Sequence, residues 1–361
     1  MSLLFNLFAE LSVEEEEDNK ARFIFSSSPR KQTPYMILEG NKVGESCSEE
    51  EKIIVKFKLL DLNKEEIIHV THKAFPKLLY EESRVIGSSR GWTAFMSKHD
   101  GTVHLSDALT NLVSTRVMTL PSLSDPLRLR SSAIINVSIS SPPDEDDGYV
   151  VFVKFLGPDL YYCRPNRVSR WTKIDMIYQS HINLCDVIYS PGTEMLFLVI
   201  TGASFLLCYD LNMNERYTRL HLIKYPKMAQ SEWELLALCS KTDQLVEYES
   251  SCDKCFIVRR YVETYDQGDK EIVFNKIKRF MVFQLHKQLK NGDITAKYTK
   301  DIGDLCVFFG KNETFCVDAS KYPGLKPNSI YYVGYGIIGV YDIGDEKFQH
   351  LTPSMPLNWP L

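Results

Sequence analysis

From Tyr35 onward, apolar and polar positions alternate over short runs broken by turn residues, the period-two pattern of half-buried β-strands. Residues 53–60, 92–96, 133–139, 149–156, 195–201, 204–211, 256–261, 280–285 and 329–333 read most plainly as strands. Asp100-Gly101 separates one pair of runs and Gly202-Ala203 another, and glycine there supplies the positive φ of tight hairpins. Antiparallel neighbours are therefore expected. Strands do not alternate with long amphipathic helices, which disfavours a parallel α/β sheet.

The first 34 residues follow another pattern. Leu4, Leu7, Phe8 and Leu11 fall at helical spacing, and Glu14 to Asp18 form an acidic block ahead of Ser26-Ser27-Ser28-Pro29. The spacing predicts a short helix and a solvated tail or degenerate targeting segment over residues 1–34, followed by one β domain over residues 35–361.

A weak internal repeat gives the β domain its architecture. Tyr209-Asp210-Leu211 and Tyr341-Asp342-Ile343 each end a strand, and each is followed by an aromatic leading a polar pair, Tyr217-Thr218-Arg219-Leu220 and Phe348-Gln349-His350-Leu351. Looser copies are Trp171-Thr172-Lys173-Ile174 after Tyr161-Tyr162-Cys163, and Tyr298-Thr299-Lys300 after the Asn291-Gly292 turn. Units open near Val85, Ala133, Asp186, Trp233 and Leu305, at spacings mostly near fifty residues, close to the period of propeller blades, with the Trp233–Leu305 spacing too long for a plain blade. A lone four-stranded blade has two apolar faces that only radial packing covers. The expected fold is thus an all-β propeller of about six, or seven, four-stranded blades, its ring closed by N- and C-terminal strands. The extra length at Asp266 to Lys278 reads as a loop or a short inserted element.

Composition narrows the function classes. With 44% hydrophobic and 25% charged residues, the 361-residue chain has the make-up of a folded domain. A net charge of −5 gives no general attraction to phosphate backbones, so no nucleic-acid partner is expected, and Lys276, Lys278 and Arg279 read as a wetted loop. No run of about 18 apolar residues occurs, so no membrane partner is expected. Nine scattered cysteines, mostly inside apolar runs such as Phe205 to Tyr209, read as buried free thiols of a reducing compartment, cytoplasm or nucleus. The opening lacks the basic flank and long apolar core of a secretory signal.

Candidate chemistry is sparse. Cys252 and Cys255 form a Cys-x-x-Cys pair without a second pair to complete a zinc tetrahedron. His69 and His72 lie in a strand-like run where residues three apart face opposite ways. Acidic clusters, Asp144 to Asp147 and Glu49 to Glu51, read as solvated turns and not as a glycosidase pair. No phosphate loop, dinucleotide fingerprint or nucleophile elbow occurs, and Gly334-Tyr335-Gly336 reads as a turn. Trp92, Trp171 and Trp233, at matching places in the repeat, are expected to fill the core between blades, while Trp359 pins the tail.

The segments Leu305-Cys306-Val307-Phe308-Phe309-Gly310, Thr314 to Ser320 and Tyr322-Pro323-Gly324-Leu325-Lys326-Pro327-Asn328-Ser329-Ile330-Tyr331-Tyr332 resemble a plant signature, that of the F-box-associated KIB-type β-propellers. Ile86 to Trp92, Asp100 to Val103, Leu120 to Leu123 and Ser231 to Leu236 resemble it too. The resemblance implies a propeller and, for members with an F-box, a ubiquitin-ligase adaptor as partner. The region before Tyr35 is too short for that module, and so the chain resembles the branch in which the propeller stands alone. Some members of that branch are addressed to mitochondria or plastids, and the Arg22 to Ser28 stretch resembles the end of such a presequence.

The expectation is accordingly a non-catalytic protein-interaction propeller with no catalytic, metal or cofactor site. Its alternatives are a ubiquitin-ligase substrate receptor and, from another class, a glycan-directed hydrolase on the same scaffold.

Overall fold

Alternating runs joined by short turns give antiparallel meanders throughout the computed structural model. It describes residues 2–11, 33–46, 51–110, 115–123, 134–175, 183–200, 204–210, 218–248, 254–266, 273–287, 294–310, 313–335 and 337–351. The first sheet is the meander β1 (Ser2–Leu11), β2 (Thr33–Glu45), β3 (Lys52–Asp61) and β4 (Glu66–Pro76). The second is β5 (Ser83–Ser89), β6 (Trp92–Ser97), β7 (Thr102–Ser106) and β8 (Val117–Ser122). The third is β9 (Ile134–Ile139), β10 (Val151–Phe155), β11 (Leu160–Arg164) and β12 (Val168–Lys173).

Two further meanders share one eight-stranded sheet. The first holds β13 (Val187–Ser190), β14 (Met195–Val199), β15 (Phe205–Asp210) and β16 (Thr218–Lys224). After helix α1 (Gln230–Leu236) come β17 (Ser240–Glu247), β18 (Cys255–Asp266), β19 (Val273–Lys287) and β20 (Ile294–Thr299). A short parallel ladder, Ile223 to Ile294 and Lys224 to Thr295, joins β16 to β20. The last sheet has five strands in the order β22 (Phe315–Asp318), β21 (Leu305–Phe309), β23 (Ser329–Gly334), β24 (Ile337–Asp342) and β25 (Lys347–His350).

Apolar packing runs full circle through these units. Phe57 and Phe75 of the first sheet pack with Phe95 of the second. Val103 of the second meets Val151 of the third, and Phe152 of the third meets Leu198 of the β13–β16 meander. Cys208 there meets Ile257 of the next meander, and Phe280 on that meander meets Tyr332 and Tyr341 of the last sheet. Met36, Leu38 and Leu60 of the first sheet then pack with Ile338 and Val340 of the last. Each fully buried aliphatic or aromatic side chain contributes about 1.5–3 kcal/mol by leaving water. A closed circuit of face-packed meanders is the propeller arrangement, since every sheet covers its neighbours' apolar faces.

The segment around Pro323 clasps the circuit shut. Gly324 has φ +95°, and a Cβ there would lie 2.7 Å from the Cβ of Asn63, in the β3–β4 turn. Lys326 Nζ donates to Glu65 Oε1 at 2.9 Å and to Gln349 Oε1 at 2.7 Å. Asn328, at φ +50°, accepts from Ile302 N at 2.9 Å and donates from Nδ2 to Lys300 O at 2.9 Å, fixing the loop ahead of β21. The longest recognisable stretch of sequence is thus a structural clasp.

Two expectations are corrected, and two others take a definite form. The hydrogen-bonded sheets have four, four, four, eight and five strands, not a uniform set of six or seven fours. The physical reason is that β16 and β20 run far enough to meet edge to edge, while β22 adds a fifth strand to the last sheet. N- and C-terminal strands do meet at the closure as expected, through packed faces of the first and last sheets. Residues 2–11 form a strand on β2 where a short helix is expected, because a short apolar run serves either period and an open strand edge decides it. At Asp266 to Lys278, residues 267–272 lie outside the described residues, and the flanking strands form the short inserted element, one of the two alternatives expected there. β18 and β19 extend their ladder as far as Asp266–Val273, beyond Ser240–Val262 where β17 stops, and so build a two-stranded ribbon.

Candidate functional site

The inner strands are sewn together by side chains at the centre of the ring. Arg90, in the turn after β5, donates from Nε to Ile139 O at 2.8 Å and from Nη2 to Tyr189 O at 3.2 Å. Asn136 of β9 donates from Nδ2 to Val187 O at 2.7 Å and accepts from Val187 N at 3.0 Å. Gln244 of β17 donates to Asp186 and accepts from the Thr314 hydroxyl. Backbone Glu313 N then donates to Ser88 O at 3.0 Å, returning to β5.

Asn136, Asp186, Gln244, Glu313 and Thr314 line a central cavity of about 10 Å³, at the threshold for a single water. Burial raises the Asp186 carboxyl to about 6, against the opposing pull of the Gln244 hydrogen bond and the Arg260 charge. Two carboxylates therefore converge on this point, as a hydrolase would need, but a glycosidic bond with a flanking water asks for carboxyls about 5–9 Å apart and room for sugar rings.

The outer rim has a different character. Of the twelve large hydrophobics that are exposed among the described residues, five fall between 220 and 238: Leu220, Leu222, Trp233, Leu235 and Leu238. Leu220 and Leu222 alternate outward on β16, and Pro226, which has no N–H, ends that strand's ladder soon after Lys224. Helix α1 then buries Leu236 and leaves Trp233 55% exposed, and Leu238, in the turn after it, is 96% exposed. Glu232 anchors the helix by pairing with Arg279 Nη1 at 3.0 Å, and Arg279 also pairs with Glu346 and donates to Tyr298 Oη at 3.2 Å.

Between β16 and β20 lies an open groove of about 670 Å³ lined by Lys224, Tyr225, His286, Ala296, Lys297 and Tyr298. Tyr225 turns inward, its ring 5.1 Å from Phe283 and 4.6 Å below the Arg259 guanidinium. Arg259 is itself held by fully buried Asp243 at 2.6 and 2.9 Å, so the groove's floor is fixed by a buried ion pair.

Residues singled out from sequence are dispersed. Trp92 is buried between the second and third sheets, its Nε1 3.2 Å from Asp144 Oδ1, and Trp171 donates to Pro121 O at 2.8 Å across the same seam. Both fill the inter-sheet core as expected; Trp233 does not, because it sits on α1 and not at the start of a strand. His69 and His72 are both exposed, with a bulge at His72 (φ 64°) interrupting the alternation assumed for them. Asp144 pairs with Arg116 at 2.9 Å, and Asp146 accepts from Ser141 and Gly148, so this acidic cluster organises its own loop. Lys276, Lys278 and Arg279 lie on β19 and not in a loop.

Cys208 and Cys306 are buried on strands. Burial pushes Cys163 up to about 11 and Cys185 up to about 12, which keeps them protonated and unreactive. Cys255 is half-buried on β18. Its partner Cys252, like Cys47, Glu49, Gly336 and Trp359, lies outside the described residues. The α1 rim is the feature sequence reasoning missed. Its signal was present in Trp233-Glu234-Leu235-Leu236-Ala237-Leu238, whose apolar residues outnumber what one face of a short helix can bury.

The chain belongs to the KIB1-4 beta-propeller family, whose profile matches residues 59–345. The curated proteins yield no match. Among solved structures, a streptogramin B lyase is similar over 86% of this chain and 82% of its own, at 12% identity and a TM-score of 0.35. A member of the duf4221 family from Bacteroides vulgatus is similar over 96% of this chain and 92% of its own, at 12% identity and a TM-score of 0.40. Likeness at that level carries no argument about activity.

Proposed function

We propose that the chain is a non-catalytic propeller that binds another protein on the rim built by β16 and α1. The observation that carries this reading is the concentration of exposed apolar side chains between Leu220 and Leu238. Exposed apolar clusters mark association surfaces, and tryptophan is the residue type that most often anchors them. The filled centre supports binding over hydrolysis, because the space beside Asp186 and Glu313 takes about one water and no sugar.

Cross-linking of the full chain in cell extract, read by mass spectrometry, tests the placement. Links to a partner should concentrate on Lys227 and Lys241, which flank α1. Links concentrated instead on Lys98, in the turn after β6, and Lys347, on β25, would contradict it. Recovery of a ubiquitin-ligase adaptor as the linked protein would favour the substrate-receptor alternative.

A further inference from the structure

The parallel ladder between β16 and β20 stops after two residue pairs, at Lys224 and Thr295. On its other edge β20 continues to pair with β19 as far as Thr299–Val282. Tyr225 has turned in against Phe283, and Pro226 cannot donate, so the track that β16 would have followed beside Ala296 to Thr299 becomes the groove. Among the described residues no strand pairs with the edge of that stretch of β20 that faces away from β19.

The groove's two faces differ in chemistry. Register places Lys224, Thr295 and His286 in one row across β16, β20 and β19, and Lys297 lies two residues further along β20 on the same face. His286 and Lys297 are exposed. The opposite face of β20 carries buried Ala296 and then Tyr298, whose hydroxyl is held 2.6 Å from Glu346. Glu346 is in turn neutralised by Arg279 and by Lys300 at 3.0 Å. A strand entering here meets two lysines and a histidine on one face and aromatic and methyl groups on the other.

We propose that this groove accepts an extended acidic segment of the partner protein as an added parallel strand on β20, with acidic and apolar side chains alternating along it. The proposal rests on the protein-binding reading above and gives it a partner chemistry. Main-chain hydrogen bonds to the β20 edge hold the guest, and the Lys224, His286 and Lys297 row selects its charge. The ladder that β16 already makes shows that this edge takes a parallel neighbour.

The test is fluorescence anisotropy of the full chain with three labelled octapeptides: alternating Glu and Val, alternating Lys and Val, and the Glu-Val peptide with proline replacing every second Val. The Glu-Val peptide is expected to bind saturably, the Lys-Val peptide at least tenfold more weakly, and the proline peptide not at all, since proline cannot donate to the ladder. Lys297→Glu should weaken the Glu-Val peptide at least tenfold and Lys297→Arg should retain it, with unchanged melting in both. Equal binding of the three peptides, or none saturable, would overturn the proposal. So would tighter binding when Glu14, Glu15, Glu16 and Glu17 are replaced by Gln in the full chain, which would give the groove to the chain's own acidic block. If the peptides fail while partner capture still depends on Trp233 and Leu238, the added strand is refuted and the rim reading stands.

Discussion

The backbone N–H of Glu313 donates to the carbonyl of Ser88 at 3.0 Å, joining the approach to β22 directly to β5 at the inner edge of the ring. The first sheet is wedged beside this bond, with Phe57 and Phe75 against the second sheet and Met36 and Leu60 against the last. Removing residues 1–60 would take Phe57 from the first of these surfaces and both Met36 and Leu60 from the second. That deletion should abolish cooperative melting and promote aggregation, whereas deleting residues 1–34 spares β3, β4 and nearly all of β2 and should still melt cooperatively at a lower midpoint. Calorimetry distinguishes the two; a cooperative transition at the full-length temperature after the longer deletion would refute closure by the first sheet.

The clasp gives a sharper local test. Gly324→Ala adds a Cβ at φ +95° that would lie 2.7 Å from Asn63 Cβ, so strain and overlap act together. The expected loss is about 2 kcal/mol in urea unfolding. A loss below about 0.5 kcal/mol would show that the segment does not hold the first and last sheets together.

The strand runs were legible because alternation and turn glycines are local: 53–60 is β3, 92–96 is β6, and the Asp100-Gly101 turn joins β6 to β7. The repeated outer hairpins were legible too, as β11–β12, β15–β16, β19–β20 and β24–β25. Edge-to-edge meetings such as Ile223–Ile294 are not written in either strand, because they depend on where two distant ends arrive. Trp233 was misplaced for a related reason. Repeat spacing put a strand start at a position that the chain uses for α1, seven residues ahead of β17 at Ser240.

Asp186 supplies a pH-dependent signature of the centre. Its folded pKa of about 6 lies above the unfolded value of ~3.9, so between these the folded chain holds a proton that the unfolded chain has lost. Stability from this group therefore falls as pH rises from about 4 to 6 and stays reduced above that range. Asp186→Asn keeps an acceptor for Gln244 and removes the charge, and should raise stability at pH 7.5 by about 1–2 kcal/mol while flattening the slope. Chemical denaturation at several pH values checks this; an unchanged slope would contradict a buried, unfavourably ionised Asp186.

The division between a filled centre and a working rim is tested most directly by quantitative proximity labelling in cells, comparing the wild-type chain with Trp233→Ser/Leu238→Ser and with Asp186→Asn. Both rim residues are exposed, so their replacement should change stability by no more than about 0.5 kcal/mol. The account predicts that the rim variant loses most of the partners labelled by wild type, while Asp186→Asn labels the same set. The opposite pattern, with labelling intact in the rim variant and lost on Asp186→Asn, would place the function at the centre of the ring and contradict the account.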